Sequence, residues 1–197
     1  MPPAASAFLV HGLPGGPGRE AIGAGLAETG IPITATDAET RAALDRGGIA
    51  FVPTNVLAPG LARLLGLRGI LGLRSPMNTV ARLLNPFAAA AGVDGVFHPP
   101  YIHLHLEASK RLNRPRLAVL KGGGGEAERR PEKPITVHLL RGATVEELLF
   151  PALCAADAEE GVQARATVQA TLALALLALG AAETVTEAEA AAQILMV

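Results

Sequence analysis

Two glycine-rich segments of the sequence carry residue types suited to holding a phosphate group. The first is His11-Gly-Leu-Pro-Gly-Gly-Pro-Gly18, whose Gly15 and Gly16 lie between a predicted strand and a predicted helix. The second is Gly122–Gly125, four consecutive glycines after a predicted strand. Glycine lets backbone N–H groups approach an anion closely. Neither segment has the P-loop or the dinucleotide-binding pattern. An ordinary tight loop is the alternative for the first, and a flexible exposed hairpin for the second.

Charged side chains flank the second glycine segment. Lys121 precedes it, and a lysine ammonium can neutralise a phosphate as a point charge. Glu126 and Glu128 follow it, and Mg²⁺ is commonly held by one or two carboxylates together with substrate phosphates. We therefore predict Lys121 and Gly123 as phosphate contacts and the two glutamates as metal ligands. The alternative is that these charges are simply solvated.

A single arginine stands at the end of an apolar stretch in residues 67–87. Arg74 follows Gly72-Leu73, a turn comes next, and a short helix then runs to Asn85-Pro86. Anions and polar ligands tend to bind where a helix begins. The spacing places Arg74 and Asn78 at the mouth of a strand-to-helix or loop-to-helix junction, so both are candidate catalytic residues.

The histidines offer weaker candidates. His98 and His11 each stand near the carboxyl end of a predicted strand and are the better site residues. His103 and His105 are two positions apart on a predicted helix, so they point to nearly opposite faces. We expect one of them to be packed and the other solvated, without a zinc motif of the HExxH kind. No Ser-His-Asp or Cys-His signature is present, since Cys154 has no neighbouring base.

Composition limits the class of protein. The chain has 197 residues, 50% of them hydrophobic but only 3% aromatic, so an aliphatic core is expected. The single cysteine excludes an internal disulfide and a cysteine-based zinc site, and it fits a reducing, cytoplasmic setting. The N-terminus has no signal-peptide pattern. The longest apolar run, Thr171–Ala182, is shorter than the roughly 20 residues that span a bilayer, so a buried helix and no membrane contact are predicted.

Charge is unevenly distributed along the chain. Residues 110–141 hold nine Lys/Arg and three Glu, a net of +6, whereas residues 142–197 hold one Arg and eight Asp/Glu, a net of −7. A basic segment suits phosphate-bearing partners, including nucleic acid. The alternative is a solvated segment whose charges pair with the acidic tail.

Predicted strands alternate with helices of about ten residues. Strand candidates are Ala7–Val10, Ile49–Val52, Val93–Phe97, Arg116–Leu120 and Ile135–Leu140. This pattern is typical of an α/β domain with a largely parallel central sheet flanked by helices. Ligands of such sheets bind outside the carboxyl ends of the strands. The glycine segments should therefore form, together with the guanidinium of Arg74, a cradle for a sugar phosphate.

Helix boundaries have their own local signals. Thr36-Asp-Ala-Glu39 and Thr186-Glu-Ala-Glu189 read as capping boxes that each start a helix. A long helix is predicted from Asp157-Ala-Glu-Glu160 to Leu179, where Gly180 ends it.

The order of these pieces resembles the catalytic α/β domain of glycosyltransferase family 3. That family contains anthranilate phosphoribosyltransferase and the pyrimidine-nucleoside phosphorylases, and the resemblance is nearest to the anthranilate phosphoribosyltransferase-like branch. It runs from about Phe8 to Gly180. The matching stretches are Val10-His11-Gly12, Ile49-Ala50-Phe51, Pro59–Arg68, Gly72-Leu73-Arg74 with Asn78 and Leu84-Asn85-Pro86, Gly95–Pro99, and the strand that enters Lys121–Glu128.

The resemblance implies a reaction and a set of roles. The reaction is transfer of a pentosyl (phosphoribosyl) group from phosphoribosyl diphosphate with Mg²⁺, through an oxocarbenium-like state. His11 and Gly12 would line the substrate pocket. Arg74 would face the carboxylate or base of the acceptor, with Asn78 at the same helix start. Glu128 would take the second position of the family's Asp-Glu pair, which binds Mg²⁺ and diphosphate.

The sequence also departs from the family pattern. Ala127 stands at the first position of the Asp-Glu pair, and Glu126 is one place away. The family's helical N-terminal domain and its Gly-Thr-Gly-Gly-Asp loop have no counterpart in the sequence. We therefore expect residues 1–197 to form a single, incomplete α/β domain. A non-catalytic relative that binds DNA through its phosphates and an inactive fragment are the alternative functions. A homodimer is a further possible assembly, although the family's dimer contacts come mostly from the helical domain.

Overall fold

The computed structural model describes residues 7–13, 25, 26 and 28–196. Contacts within the chain group into two compact units, Met1–Leu84 and Asn85–Val197, each of which has its own sheet and helices. We refer to them as unit 1 and unit 2 and describe each by itself. The expectation of one domain over the whole chain stays a prediction.

Unit 1 is built on two parallel strands. Its elements are β1 (Phe8–Gly12), α1 (Asp37–Gly47), β2 (Ile49–Pro53), α2 (Thr54–Leu57), α3 (Pro59–Gly66), α4 (Arg68–Leu71) and α5 (Met77–Arg82). Strand β2 is almost completely buried, whereas β1 is partly exposed. Val10 pairs with Phe51 in the parallel register, and Ile33 adds an isolated parallel bridge to the same residue.

The start of α1 is fixed by a capping box. Thr36 accepts a hydrogen bond from the Glu39 backbone N–H at 3.2 Å, and the Glu39 carboxylate accepts one from the Ala35 N–H at 2.8 Å. The first bond satisfies an N–H group that the helix start leaves unpaired, and the second fixes the residue that precedes the cap. The prediction of Thr36 as N-cap is confirmed. The helix ends at Gly47, followed by Gly48 with a left-handed φ of 70°.

Unit 2 carries a four-stranded sheet in the order β3-β4-β5-β6. Its elements are β3 (Gly92–Val96), α6 (Pro100–Arg111), β4 (Arg116–Lys121), β5 (Ile135–Arg141), β6 (Thr144–Phe150), α7 (Glu160–Leu179) and α8 (Val185–Leu195). Strands β3 and β4 are parallel and are connected through α6, whereas β5 and β6 form an antiparallel hairpin. The α/β class with flanking helices is confirmed, and its parallel pairs are β1–β2 and β3–β4.

Strand β6 is one element that the sequence analysis did not predict, as are the short helices α2 and α4. The hairpin turns through Gly142, whose φ is 60°, and Arg141 pairs with Thr144 across the turn. A glycine at positive φ is what a two-residue hairpin loop requires. Strand β6 lies at the sheet edge and is half exposed, so its residues lack the apolar run by which buried strands are recognised.

Helices cover both faces of the unit 2 sheet. On one face, α7 and α8 pack on Ala118 and Leu120 of β4 and on alternate residues of β5. On the other face, Leu106 of α6 packs on Leu117 and Val119 of β4. This alternation follows from the two-residue period of a strand. Apart from Phe150, the buried residues of this core are aliphatic, as the composition predicts.

Helix α7 begins at Glu160 and ends at Leu179, close to its predicted limits. Within the described ranges it is the one helix long and apolar enough to cross a membrane by length and composition. Its second half is core, with Ala173, Leu174 and Leu177 fully buried. The prediction of a buried helix over this apolar run is confirmed.

The N-cap of the last helix lies two residues earlier than predicted. Thr184, not Thr186, accepts the hydrogen bond from the Glu187 N–H at 3.2 Å, and Glu187 accepts in return from the Glu183 N–H at 3.0 Å. The prediction of Thr186-Glu-Ala-Glu189 as the capping box is wrong. Thr184-Val-Thr-Glu187 is an overlapping box, and Glu189 is thereby left free to face the interior.

Candidate functional site

The loop after β4 folds back onto the carboxyl ends of β3 and β4. The Gly122 N–H donates to the Val96 carbonyl oxygen at 3.0 Å, which extends the parallel pairing by one bond. The Glu126 carbonyl oxygen then lies 1.9 Å from where a Cβ on Gly95 would stand and 2.0 Å from one on Gly122. No side chain fits at either position. We call this contact the glycine seat of the loop.

The loop presents charged groups to solvent at this edge of the sheet. Lys121, Gly123, Glu126 and Glu128 are all exposed. Gly123 and Gly124 have no backbone neighbour within 4 Å of an added Cβ, in contrast to Gly122. The predicted ammonium, glycine and carboxylate contacts are therefore brought onto one short segment.

The donor set of this loop fits a magnesium ion held mainly by phosphate. Two glutamate carboxylates separated by one residue are hard oxygen ligands of the kind that Mg²⁺ takes. Among residues 7–13, 25, 26 and 28–196, no group of three or more His, Cys, Asp or Glu side chains is arranged to hold a metal ion by itself. A metal at Glu126 and Glu128 would therefore draw its other ligands from substrate and water.

Arg129, which directly follows Glu128, is fully buried. Its guanidinium donates to the Glu189 carboxylate of α8, to the Pro151 carbonyl after β6, and to the Ala170 carbonyl of α7 at 3.4 Å. Burial lowers the pKa of Arg129, and the Glu189 carboxylate opposes that shift. Sequence reasoning missed this residue because its partners are 22 to 60 positions away.

His98 lies at the same sheet edge as Lys121. It follows β3, whose last residue Val96 pairs with Lys121, and its ring is exposed. The Phe97 ring packs against it edge-on with centroids 4.7 Å apart, and the Tyr101 ring is 6.3 Å away. The predicted position of His98 at a strand end is confirmed.

The two histidines of α6 have opposite environments, as predicted. His103 is exposed, whereas His105 is 1% exposed and bonds through Nδ1 to the Asp94 carboxylate at 2.8 Å. Asp94 lies in the middle of β3 and is itself buried. This pair ties the helix to the strand, and its burial leaves no route for a substrate.

Unit 1 holds the remaining predicted site residues. Arg74 is exposed in the loop between α4 and α5, so the predicted junction is of the loop-to-helix kind. Asn78 donates to the Ser75 carbonyl oxygen from both its backbone N–H and its side-chain Nδ2, each at 3.0 Å, and so closes the turn before α5. His11 and Gly12 end β1, paired with Val52 and Pro53.

Gly15 and Gly16 lie outside the described residues. The hypothesis that both glycine segments and Arg74 form one cradle stays a prediction, because Arg74 belongs to unit 1 and the described glycine loop to unit 2.

Several arginines and lysines of the basic segment, residues 110–141, bond to other groups of the same chain. Arg129 and Arg141 pair with Glu189 and Glu183 of the acidic C-terminal part. Further bonded cations of the segment include Lys110 with Glu107, Arg130 with Glu132, and Arg116 with carbonyls of α7. These pairs favour the alternative of internal charge pairing, and the DNA-binding alternative receives no support from them.

Comparison with known proteins gives a consistent picture. A family model described as "Glycosyl transferase family, a/b domain" matches residues 24–155. The anthranilate phosphoribosyltransferase of Haloarcula marismortui is 34% identical over 99 residues, which are 50% of this chain and 30% of that protein.

Solved structures share the fold. The crystal structure of anthranilate phosphoribosyltransferase from Thermus thermophilus matches 97% of this chain and 64% of its own with a TM-score of 0.77 at 22% identity. A variant of the Saccharomyces cerevisiae anthranilate phosphoribosyltransferase with Mg bound matches 95% of this chain and 68% of its own with a TM-score of 0.61 at 14% identity. The chain thus spans only part of the length of the proteins it matches.

Proposed function

Because the chain belongs to the glycosyl transferase α/β-domain family, we propose that it takes part in transfer of a phosphoribosyl group from phosphoribosyl diphosphate. The observation that carries this proposal is the loop seated on Gly95 and Gly122, which exposes a lysine, glycine amides and two carboxylates on one segment. A diphosphate bound with Mg²⁺ needs this combination of cation, backbone donors and metal ligands.

Each group of unit 2 has a chemical task in this proposal. Glu128 and Glu126 would hold Mg²⁺, which supplies charge stabilisation to the departing diphosphate when bound. Lys121 and the N–H of Gly123 would bind phosphate oxygens, and His98 would bind the ribose phosphate from the adjacent strand end. Departure of diphosphate leaves an oxocarbenium-like sugar, so charge stabilisation and positioning matter more than proton transfer.

The residues of unit 1 are assigned to the acceptor and the sugar. We assign Arg74 to a carboxylate or base of the acceptor, because a guanidinium binds a carboxylate through two parallel N–H bonds. Asn78 holds the turn that presents Arg74, and His11, Gly12, Gly15 and Gly16 contribute to substrate binding. The anthranilate phosphoribosyltransferases among its relatives act on anthranilate, a small acid of the kind that Arg74 suits.

Calorimetry on the intact chain tests the proposal. Phosphoribosyl diphosphate should bind with Mg²⁺ present and weakly or not at all with EDTA. Glu128→Gln should weaken the binding about tenfold or more, since an interaction with a charged group is worth about 1.5–3 kcal/mol. Glu159→Gln removes the same charge from an exposed side chain that makes no capping bond, and it should bind as wild type.

Two results would count against the proposal. Absence of binding heat with millimolar phosphoribosyl diphosphate and Mg²⁺ would refute phosphoribosyl diphosphate as the substrate. If Glu128→Gln and Glu159→Gln weakened the binding equally, the loop would be refuted as the binding site. Release of diphosphate in the presence of anthranilate, compared between wild type and Arg74→Ala, addresses the acceptor.

A further inference from the structure

The segment that carries the two exposed glutamates is fixed at both of its ends. At one end the Glu126 carbonyl oxygen rests on Gly95 and Gly122. At the other end the Arg129 backbone N–H donates to the Thr171 Oγ1 of α7 at 3.1 Å. A stretch of two residues lies between these attachments, so its backbone has little freedom.

The Arg129 side chain adds several further contacts to this second attachment. Its guanidinium contacts three separate parts of unit 2: α7 at Ala170, α8 at Glu189, and the end of β6 at Pro151. The Phe150 ring lies beneath it, with Cζ 4.5 Å from the ring centroid. The neighbours of Arg129 on either side, Glu128 and Arg130, are both exposed, so the chain turns this one side chain inward.

An ion pair in which the arginine is fully buried and the glutamate is largely buried adds little stability by itself. Desolvation of an arginine and a glutamate offsets most of their attraction, and apolar replacements of similar volume are often neutral or stabilising. The Arg129 Nε and the Glu189 Oε2 are buried without a hydrogen-bond partner, which adds to that cost. What the pair does provide is a directional attachment that fixes where the adjacent backbone runs.

We propose that Arg129, held by Glu189, is a positioning residue that sets the direction of the Glu126 and Glu128 carboxylates toward a metal-bound diphosphate. This inference rests on the proposed function of the loop. The guanidinium itself touches neither metal nor substrate, because it is enclosed by α7, α8 and Phe150. It acts through the backbone of the segment between the glycine seat and Thr171.

The test replaces the whole pair, so that no uncompensated charge remains buried. Arg129→Met with Glu189→Met should fold and melt near the wild-type temperature. Its Gly125 and Arg129 amides, which donate to the Gly122 carbonyl oxygen and to Thr171 Oγ1, should nevertheless exchange with deuterium faster than in wild type, while those of β4 and β5 stay protected. Its affinity for inorganic pyrophosphate with Mg²⁺ should fall about 10–100-fold, the range found when a partner behind a metal ligand is lost.

A second variant covers the case in which the double variant does not fold. Arg129→Lys keeps the positive charge beside Glu189 but has one donor nitrogen in place of the two, Nη1 and Nη2, through which Arg129 binds its three acceptors. It should show the same faster exchange at the Gly125 and Arg129 amides and an intermediate loss of pyrophosphate affinity. A folded variant of either kind with wild-type exchange and wild-type affinity would overturn the proposal.

The two readouts separate this inference from the proposed function. If wild-type protein fails to bind pyrophosphate with Mg²⁺, the proposed function fails, while the exchange measurement still decides whether Arg129 fixes the loop. If wild type binds and the variants bind equally well despite faster exchange, the loop is anchored by Arg129 but the direction of its carboxylates is not what binding requires, and the positioning role is refuted.

Discussion

Replacing Gly95 by alanine perturbs the proposed phosphate loop through a single added methyl group. An ideal Cβ at this position lies 1.9 Å from the Glu126 carbonyl oxygen and 2.6 Å from the Ala127 nitrogen. Both are backbone atoms, so no change of rotamer relieves the overlap. The backbone of Gly95 itself lies outside the left-handed region, so alanine adds no strain of its own.

The loss of stability in Gly95→Ala depends on whether the loop or strand β3 moves to relieve the overlap. A C···O contact needs about 3.3–3.6 Å, so the loop has to retreat by roughly 1.5 Å. Strand β3 is held between β4 and its covering helices, whereas the loop is exposed, so we expect the loop to move. Overpacking of this kind costs about 1–3 kcal/mol, and each kcal/mol lowers Tm by about 2–4 °C in a domain of this size.

Thermal unfolding and calorimetry measure the two consequences. Gly95→Ala should lower Tm and weaken binding of phosphoribosyl diphosphate with Mg²⁺. Gly123→Ala places the same methyl in the same loop, where it meets only the Arg130 Cδ at 3.9 Å, and should keep the wild-type Tm. Gly161→Ala, in open space at the start of α7, should keep wild-type binding. A Gly95→Ala protein with unchanged Tm and affinity would refute the glycine seat.

Two helix ends and one surface ion pair give further testable predictions. Thr184→Ala should cost about 1 kcal/mol of unfolding free energy in urea and Thr186→Ala much less, because the structure places the cap at the first of them; equal costs would contradict the cap assignment. Gly180→Ala should destabilise by more than about 1 kcal/mol, since φ is 85° and an added Cβ would lie 2.9 Å from a guanidinium; a wild-type unfolding midpoint would show that the helix end rearranges freely. A hydrogen bond from Lys110 lowers the pKa of Glu107, so Lys110→Met should raise that pKa toward its ordinary value in a carbon-13 NMR titration, and an unchanged titration would show that the pair does not persist in solution.

Features determined by neighbouring residues were predicted well. The cap at Thr36 and the end of α7 at Gly180 depend on interactions within one helical turn, so a short window of sequence contains them. The opposite environments of His103 and His105 follow from helix geometry alone. The cap of α8 shows the limit of such windows. Two overlapping boxes satisfy the same pattern, and the choice between Thr184 and Thr186 depends on tertiary contacts.

Features determined by distant residues were not predicted. Gly95 is required because the carbonyl oxygen of Glu126, 31 positions later, packs against it. The residues next to Gly95 in the sequence give no sign of this contact. Arg129 resembled any other charge in a basic segment, since its partner Glu189 is 60 residues away. The metal-ligand role of Glu126 and Glu128 was predicted from their residue types beside the glycine run, and the family resemblance added the Asp-Glu position for Glu128; both roles stay predictions, and the structure shows the two side chains exposed on one loop.

The C-terminal end of α7 is completed by a side chain far away in sequence. Arg116, the first residue of β4, donates from Nε to the Ala178 carbonyl oxygen at 2.6 Å, across 62 residues of chain. A positive charge is favourable at this helix end, where the backbone dipoles are negative. During folding, the last turn of α7 can therefore gain this contact only after β4 is in place. An isolated peptide of α7 should fray at that end, and mutations there should alter the rate of unfolding more than the rate of folding.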